Sequence, residues 1–251
     1  MSKLLEVREL YKSFGGVTAV DGVSFELQEG HLLAMIGPNG AGKSTCFNLI
    51  NGQLKPDRGT IRILGKDTTG MKPRQVWRLG VGRTFQVTST FPSMTVLENV
   101  QMVLVSRHRR LNCMTRKTSG LYNDEAMDLL KLVGVADQWD RPCGILAYGD
   151  LKRVELAIAL ANNPKLLLMD EPTAGMGVKE RLRLMELTAK IVRDRNIGVL
   201  FTEHDMDVVF AHADSIIVLN YGKLIAKGTP SEVRDNEEVK QIYLGSCAVA
   251  S

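Results

Sequence analysis

Hydrophobic residues form short, continuous runs that alternate with segments of helical periodicity. Four runs have the length of a buried strand: Leu32–Ile36, Leu166–Met169, Val199–Thr202 and Ser215–Leu219. Continuous apolar runs of this length are typical of parallel strands that are buried on both faces. The pattern therefore predicts a parallel sheet.

Helix signals lie between these runs. The sequence predicts a helix over Ser44–Asn51, and Thr95 with Glu98 forms a capping box that begins another. Thr229, Pro230 and Glu232 predict a helix start by the same chemistry. Three further stretches carry apolar residues at helical spacing: Met127, Leu130 and Val133; Leu151, Val154 and Ile158; and Leu182, Met185, Ala189 and Val192.

The order of these elements indicates one α/β domain. Leu4–Leu27 reads as strands around a Gly15-Gly16 turn, and so predicts an antiparallel β subdomain at the N-terminus. The 251 residues suit a single domain. We expect a core over 1–87 and 165–251, with a helical subdomain inserted over 88–164.

Composition narrows the class of protein further. The chain has 44% hydrophobic and 24% charged residues, a net charge of +4, and no apolar run of transmembrane length. Four scattered cysteines include no CxxC pair, which argues against a zinc site or a disulfide framework. The N-terminus lacks the features of a secretory signal, so we expect a reducing, cytosolic location.

The residues after the first buried run match a phosphate-binding loop: Gly37, Pro38, Asn39, Gly40, Ala41, Gly42, Lys43 and Ser44. The glycines let the backbone curl until successive N–H groups point at phosphate oxygens. Lys43 is expected to reach the β- and γ-phosphates of ATP, and Ser44 to ligate Mg²⁺. A glycine-rich turn that matches by chance is disfavoured, because a strand precedes the loop and a helix follows it.

Two acids follow the second buried run. The carboxyl end of a parallel strand is the ligand edge of such a sheet. Asp170 is therefore expected to bind Mg²⁺, and Glu171 to polarise the attacking water. The alternative is that both acids belong to a solvated turn.

Taken together, the motifs resemble those of the ABC ATPases. GPNGAGKST, which ends at Thr45, resembles their Walker A segment, and LLLMDEPTAG resembles Walker B with its catalytic glutamate. The Q-loop, the signature motif and the switch-histidine segment have counterparts in RTFQ at 83–86, LAYGD at 146–150 and TEHD at 202–205. The resemblance covers essentially the whole chain, and a signature motif ahead of Walker B is highly specific to this family.

The resemblance implies roles for single residues. Gln86 would contact Mg²⁺ or the attacking water. His204 would touch the γ-phosphate, and the alternative for this histidine is a structural role. Phe14 would stack on adenine; its alternatives are a core aromatic, or Tyr11 as the stacking residue.

Signature residues Ala147, Tyr148 and Gly149 would contact the ATP held by a partner subunit. This segment departs from the family pattern at two positions. Ala147 stands where the family usually has serine, and Asp150 stands where it usually has glutamine. Gly177 replaces the usual aspartate after Walker B. Backbone N–H groups at the helix start can still serve a phosphate, and we expect the Asp150 carboxylate not to face one.

Within the family, the chain resembles the ATPase subunits of branched-chain amino acid importers. The similarity lies in FGGVTAVDGVSFEL, GRTFQ, MTVLENV, LAYGD, EHDMDVVF and GTPSEV. Importers of urea, short amides or other amino acids use similar subunits and stay open as alternatives. The implied partners are two transmembrane permease subunits, a second ATPase subunit (a paralogue, or a second copy of this chain) and, indirectly, a periplasmic or extracellular substrate-binding protein. The implied location is the cytoplasmic face of the plasma membrane.

Rival functions lack support in the sequence. The chain has one phosphate loop and no long coiled coil, which argues against the ABC ATPases of translation and DNA repair. A scaffold that binds ATP without turnover would have lost Glu171 and His204. A basic segment, with Arg107, Arg109, Arg110, Arg116 and Lys117, carries no interleaved aromatic residues, so no nucleic-acid partner is expected. Its alternatives are a solvated loop and a contact with anionic lipid.

An apolar cluster close to Gln86 is the expected docking site for the permease. Its members are Phe91, Met94, Val96 and Leu97. The alternative is that these side chains pack the interior of the helical subdomain.

Overall fold

The computed structural model describes residues 3–84, 90–108 and 122–247, with side chains described as far as residue 242. The strands in these ranges are β1 (Lys3–Phe14), β2 (Val17–Gln28), β3 (Leu32–Ile36), β4 (Arg58–Ile63), β5 (Lys66–Asp67), β6 (Val81–Thr84), β7 (Leu166–Asp170), β8 (Gly198–Thr202), β9 (Ser215–Asn220) and β10 (Lys223–Gly228). The α-helices are α1 (Lys43–Ile50), α2 (Pro73–Arg78), α3 (Val96–Arg107), α4 (Asn123–Val133), α5 (Tyr148–Leu160), α6 (Val178–Arg195), α7 (Met206–His212), α8 (Pro230–Asp235) and α9 (Glu237–Cys247).

The strands form two sheets. The larger has the order β10-β9-β3-β8-β7-β6, and its neighbours are parallel except for the antiparallel pair β9 and β10. The smaller, with the order β2-β1-β4-β5, is antiparallel throughout. The predicted α/β fold, with its N-terminal antiparallel sheet and its inserted helices, is confirmed.

The larger sheet is buried on both faces, as its apolar runs predict. Along β3, Leu32, Ala34 and Ile36 belong to the core shared with α3 to α7. Leu33 and Met35 point the other way, into the core shared with α1 and the antiparallel sheet. Because successive side chains enter opposite cores, no position along β3 favours a polar residue.

In the described part of the chain, α3, α4 and α5 lie between β6 and β7, and the predicted capping signals mark the start of α3 and the end of α4. The Glu98 N–H donates to Thr95 Oγ1 (3.2 Å), and the Thr95 N–H donates to the Glu98 carboxylate (2.8 Å). Gly134 follows α4 with a φ of 74°, a left-handed conformation that glycine adopts without strain. No helix among the described residues is both long and apolar enough to cross a bilayer.

Two groups of apolar residues singled out from the sequence differ in burial from member to member. Leu182 is 39% exposed, because it lies at the edge of the buried face of α6, which centres on Met185 and Ala189. In the expected docking cluster, Val96 and Leu97 are buried in the core and only Phe91, at 55%, is well exposed. The first turn of α3 thus packs the interior.

The loop that leads into α3 is held by one buried amide. Asn99 is 3% exposed; its Oδ1 accepts the Phe91 N–H at 2.8 Å, and its Nδ2 donates to the carbonyls of Thr95 (2.9 Å), Phe91 (3.2 Å) and Met94 (3.3 Å). This side chain closes the loop onto the helix it precedes.

We therefore expect Asn99→Ala to lower the free energy of unfolding by about 2 kcal/mol, because it removes the acceptor of the Phe91 N–H and the side-chain donor that the three loop carbonyls share. Glu98→Ala, the control, removes half of an exposed capping box and should cost about 1 kcal/mol or less. Urea unfolding of both variants measures the difference. Equal costs would contradict the role given to Asn99.

Candidate functional site

The loop between β3 and α1 is packed too tightly for side chains at two positions. A Cβ on Gly37 would lie 2.2 Å from the Leu219 carbonyl oxygen of β9. A Cβ on Gly42, where φ is 102°, would lie 2.3 Å from the Ala19 carbonyl oxygen of β2. Strands from both sheets therefore determine the path of this loop, and only glycine fits at these contacts.

Lys43 is held beneath the same loop. Its ammonium donates to the carbonyl oxygens of Gly37 (2.7 Å) and Pro38 (3.0 Å), and the residue is 7% exposed. Burial lowers the pKa of Lys43, and the nearby Glu171 and Asp170 carboxylates act in the opposite direction. The side chain thus presents a partly desolvated positive charge at the start of α1.

A pocket of about 190 Å³ opens above this loop. It is lined by Ala19, Asn39, Gly40, Ala41, Gly42, Lys43, Ser44, Thr45, Glu171 and His204. The fold therefore gathers most of the predicted phosphate-binding residues around one cavity, together with two of the three predicted catalytic residues, Glu171 and His204; the third, Gln86, lies outside the described residues.

The two acids after β7 lie in different environments. Asp170 is 9% exposed, and its Oδ1 accepts the Thr202 hydroxyl at 2.9 Å. The same hydroxyl oxygen accepts the Glu171 N–H at 3.0 Å. Glu171 has a φ of 48°, uncommon outside glycine, and its Oε1 lies 2.7 Å from His204 Nε2. These contacts exclude the solvated-turn alternative, because one carboxylate is buried and the other is directed to a histidine.

Glu203 is a site residue to which sequence reasoning assigned no role. It is 4% exposed, and its Oε1 accepts both the N–H (2.9 Å) and the hydroxyl (2.7 Å) of Thr173. It thereby ties the segment after Glu171 to the segment that carries His204. Burial raises the pKa of the Glu203 carboxyl, although the hydrogen bonds from Thr173 oppose that effect.

The signature residues lie apart from the pocket that contains Glu171, since none of 147–149 is among the described residues that line it. Ala147 is the exposed residue that precedes α5, and the Tyr148 hydroxyl donates to the Ala174 carbonyl oxygen at 3.1 Å. The Asp150 Oδ2 accepts the Gln138 side-chain amide at 2.8 Å. This hydrogen bond occupies an oxygen of the one acid in the first turn of α5.

The aromatic candidates differ in burial. Phe14 is 45% exposed and Lys12 Nζ lies 5.4 Å from its ring centroid, so the core-aromatic alternative is wrong. Tyr11 is half-buried, with its hydroxyl 3.4 Å from the Glu9 carboxylate. Gln86 and positions 109–117 of the basic segment lie outside the described residues.

The described residues offer few donor atoms to a metal ion, and those near the phosphate loop are oxygen atoms, which are hard ligands. Among the described residues, no group of three or more His, Cys, Asp or Glu side chains can hold a metal. The Ser44 hydroxyl and the Asp170 carboxylate are oxygen donors on the adjacent ends of α1 and β7. Two protein oxygens fit Mg²⁺, which commonly completes its shell with water and substrate phosphates.

A second, larger cleft of about 860 Å³ lies between α2, β6, α3 and α5. Four arginines line it: Arg74, Arg78, Arg83 and Arg107. Trp77 and Val103 add apolar surface, and Gln53 lies beside Arg83 in the wall. The cleft therefore combines cationic side chains with apolar surface.

With this geometry established, comparisons with known proteins define the class. Residues 20–174 match the family model described as ABC transporter. The chain belongs to the ABC transporter family, as an ATP-binding cassette. Residues 223–246 also match a second model, described as branched-chain amino acid ATP-binding cassette transporter.

Several relatives match over nearly their whole length. The chain is 41% identical to the high-affinity branched-chain amino acid transport ATP-binding protein BraF of Pseudomonas aeruginosa, over 96% of this chain and 98% of that protein. It is 39% identical to LivG of Escherichia coli K12, with the same coverage. A crystal structure of an ATP-binding cassette of an ABC transporter, in its ADP conformation, superposes with a TM-score of 0.87 at 30% identity, over 98% of this chain and 100% of that one.

Buried Glu203 makes stability depend on pH. Its pKa in the folded chain is raised above the ordinary 4.5. The folded chain therefore binds more protons than the unfolded chain as the pH rises past that value, and its stability falls. Glu203→Gln keeps an oxygen for both Thr173 donors and cannot ionise. We expect the melting temperature of the variant to rise relative to wild type between about pH 4 and about pH 7.

Thermal melts across this range provide the measurement, with the exposed Glu98→Gln as a control that should follow wild type. A difference between Glu203→Gln and wild type that stays constant with pH would contradict the raised pKa.

Proposed function

We propose that this chain binds and hydrolyses Mg-ATP and drives a branched-chain amino acid importer. The observation that carries the proposal is the single pocket formed by the phosphate loop, Glu171 and His204. The substrate assignment is supported by the match of residues 223–246 and by the similarity over nearly the full length to BraF and LivG, which are branched-chain amino acid transport ATP-binding proteins.

Residues in and around the pocket divide the tasks of this reaction. Backbone N–H groups of the loop and the Lys43 ammonium bind the phosphates, and Phe14 stacks on adenine. Ser44, Asp170 and Gln86 would hold Mg²⁺, which neutralises phosphate charge when bound. Glu171 orients the attacking water and accepts its proton. His204, 2.7 Å from the Glu171 carboxylate, positions that acid and contacts the γ-phosphate.

A second ATPase subunit completes the site. Ala147, Tyr148 and Gly149 lie outside the chain's own pocket, so they are free to contact ATP bound by another subunit. We take that subunit to be a paralogue, and we assign 88–164 as the helical subdomain that carries the signature. Closure of the two subunits around ATP would move the permease, and hydrolysis with product release would reset it.

The permease docks in the cleft between α2, β6, α3 and α5. Arg74 and Arg78 are exposed there, and neither forms an ion pair with another described residue. Free cations over apolar surface favour an acidic, amphipathic segment of the permease. This contact would hold the chain at the cytoplasmic face of the membrane, beside two permease subunits that receive substrate from an external binding protein.

The hydrolytic role of Glu171 predicts a defect in turnover alone. Glu171→Gln should bind ATP normally and hydrolyse it roughly 10²- to 10⁴-fold more slowly, because a positioned acid–base group is lost. Lys43→Ala should instead weaken nucleotide binding, because it removes phosphate neutralisation from the ground state. Titration with labelled ATP and phosphate release separate the two defects. Near-normal hydrolysis by Glu171→Gln would remove Glu171 from the role.

The docking role of the cleft predicts a defect in coupling alone. Arg78→Glu should leave ATP binding and thermal stability intact, and should reduce substrate uptake by the assembled transporter roughly tenfold, since it repels an acidic segment. Lys66→Glu on β5 introduces the same charge change in the antiparallel sheet and serves as the control. Uptake and ATPase activity in proteoliposomes provide the readout. Normal uptake by Arg78→Glu would remove the cleft as the docking site.

A further inference from the structure

We infer that Arg83 links the arginine-lined cleft to the carboxylate of Asp170, and that it sets how strongly that carboxylate attracts Mg²⁺. The inference rests on the proposed function. It concerns one largely buried side chain that lines the cleft and lies beside Asp170.

Arg83 contacts residues of the cleft and also lies beside Asp170. Its Nη1 donates to Gln53 Oε1 at 3.0 Å, and its Nη2 donates to Asn48 Oδ1 of α1 at 3.1 Å. The same Nη2 lies 3.7 Å from Asp170 Oδ2. The Arg83 and Asp170 side chains are only 10% and 12% exposed. Both Arg83 and Gln53 also line the cleft.

The sheet dictates this arrangement. β6 and β8 flank β7, and all three strands are parallel, so their carboxyl ends meet at one edge. Arg83 comes from β6, Asp170 ends β7, and Thr202 ends β8. The Asp170 carboxylate therefore lies between two neighbours, with Oδ1 on the Thr202 hydroxyl and Oδ2 beside the guanidinium.

A cation at this distance in a partly desolvated place offsets the negative charge of the aspartate. It therefore reduces the attraction of Asp170 for a second cation, Mg²⁺. An acidic permease segment in the cleft would attract the guanidinium away from Asp170. Docking would then strengthen metal binding without touching the ATP pocket.

The first test measures the Mg²⁺ dependence of ATP binding by the full chain, with a fluorescent ATP analogue. We expect Arg83→Gln to lower the half-saturating Mg²⁺ concentration roughly three- to tenfold, because the offsetting charge is gone. Arg83→Lys keeps the charge and should stay within about twofold of wild type. Arg62→Gln, on β4, removes one positive charge from the antiparallel sheet and should match wild type.

The second test repeats this titration on the assembled transporter. In wild type, the half-saturating Mg²⁺ concentration should be lower in the complex than in the isolated chain. Arg83→Gln should abolish that difference.

An unchanged or raised Mg²⁺ requirement in a folded Arg83→Gln variant would overturn the inference, as would a wild-type requirement that the permease does not alter. If thermal melts show that Arg83→Gln does not fold, Arg83→Met serves as the second variant with the same expectation. A wild-type chain that shows no Mg-dependent ATP binding would instead overturn the proposed function.

Discussion

The close packing of the β3–α1 loop against two strands is the constraint on which the rest of the site depends. Gly37 lies against a carbonyl of β9 and Gly42 against a carbonyl of β2, with no room for a Cβ at either place. The larger sheet and the antiparallel sheet must therefore both be in place before the loop can take its shape. Folding of the whole domain and formation of the phosphate-binding backbone are in this sense one event.

The acids around the pocket are likewise positioned by contacts between neighbouring strand ends. Thr202 accepts the backbone of Glu171 and donates to Asp170, so one hydroxyl orients both carboxyl-bearing residues. Glu203 holds Thr173, and His204 faces Glu171. Thr202, the last residue of β8, and the two residues that follow it thus position the segment after β7. A substitution or displacement at the end of β8 would therefore alter the positions of the residues at the end of β7.

The division between the two pockets suggests how binding at one place reaches the other. The small pocket gathers the groups that act on phosphate, and the cleft gathers exposed cations and apolar surface. They are separate cavities, but both are lined by residues at or just beyond the carboxyl ends of β6 to β8. Arg83 links them, because it lines the cleft and lies beside Asp170, the residue before Glu171. A rigid parallel sheet suits this task, because its strand ends keep fixed distances when a partner binds.

Local chemistry was sufficient to predict the elements with strong signals of their own. Buried strands such as β3 read as continuous apolar runs, and the Thr95 and Thr229 capping boxes marked helix starts, because these signals depend only on neighbouring residues. The elements not predicted are β4 to β6, α2, α7, α9 and β10, and of these β5, β6 and β10 lie at sheet edges. Edge strands bury less surface, so their sequences carry a weaker hydrophobic pattern.

For the site, the sequence alone determined which residue types stand at the phosphate loop and at the end of the buried strand, since spacing and strand polarity suffice for that. Only the tertiary structure decided which side chains meet. Phe14 is exposed and Val96 is buried, Glu203 accepts hydrogen bonds from Thr173, and Arg83 lies beside Asp170. These outcomes depend on contacts between elements that are distant in sequence. No local pattern records such contacts, since the partner of each side chain is supplied by another strand or helix.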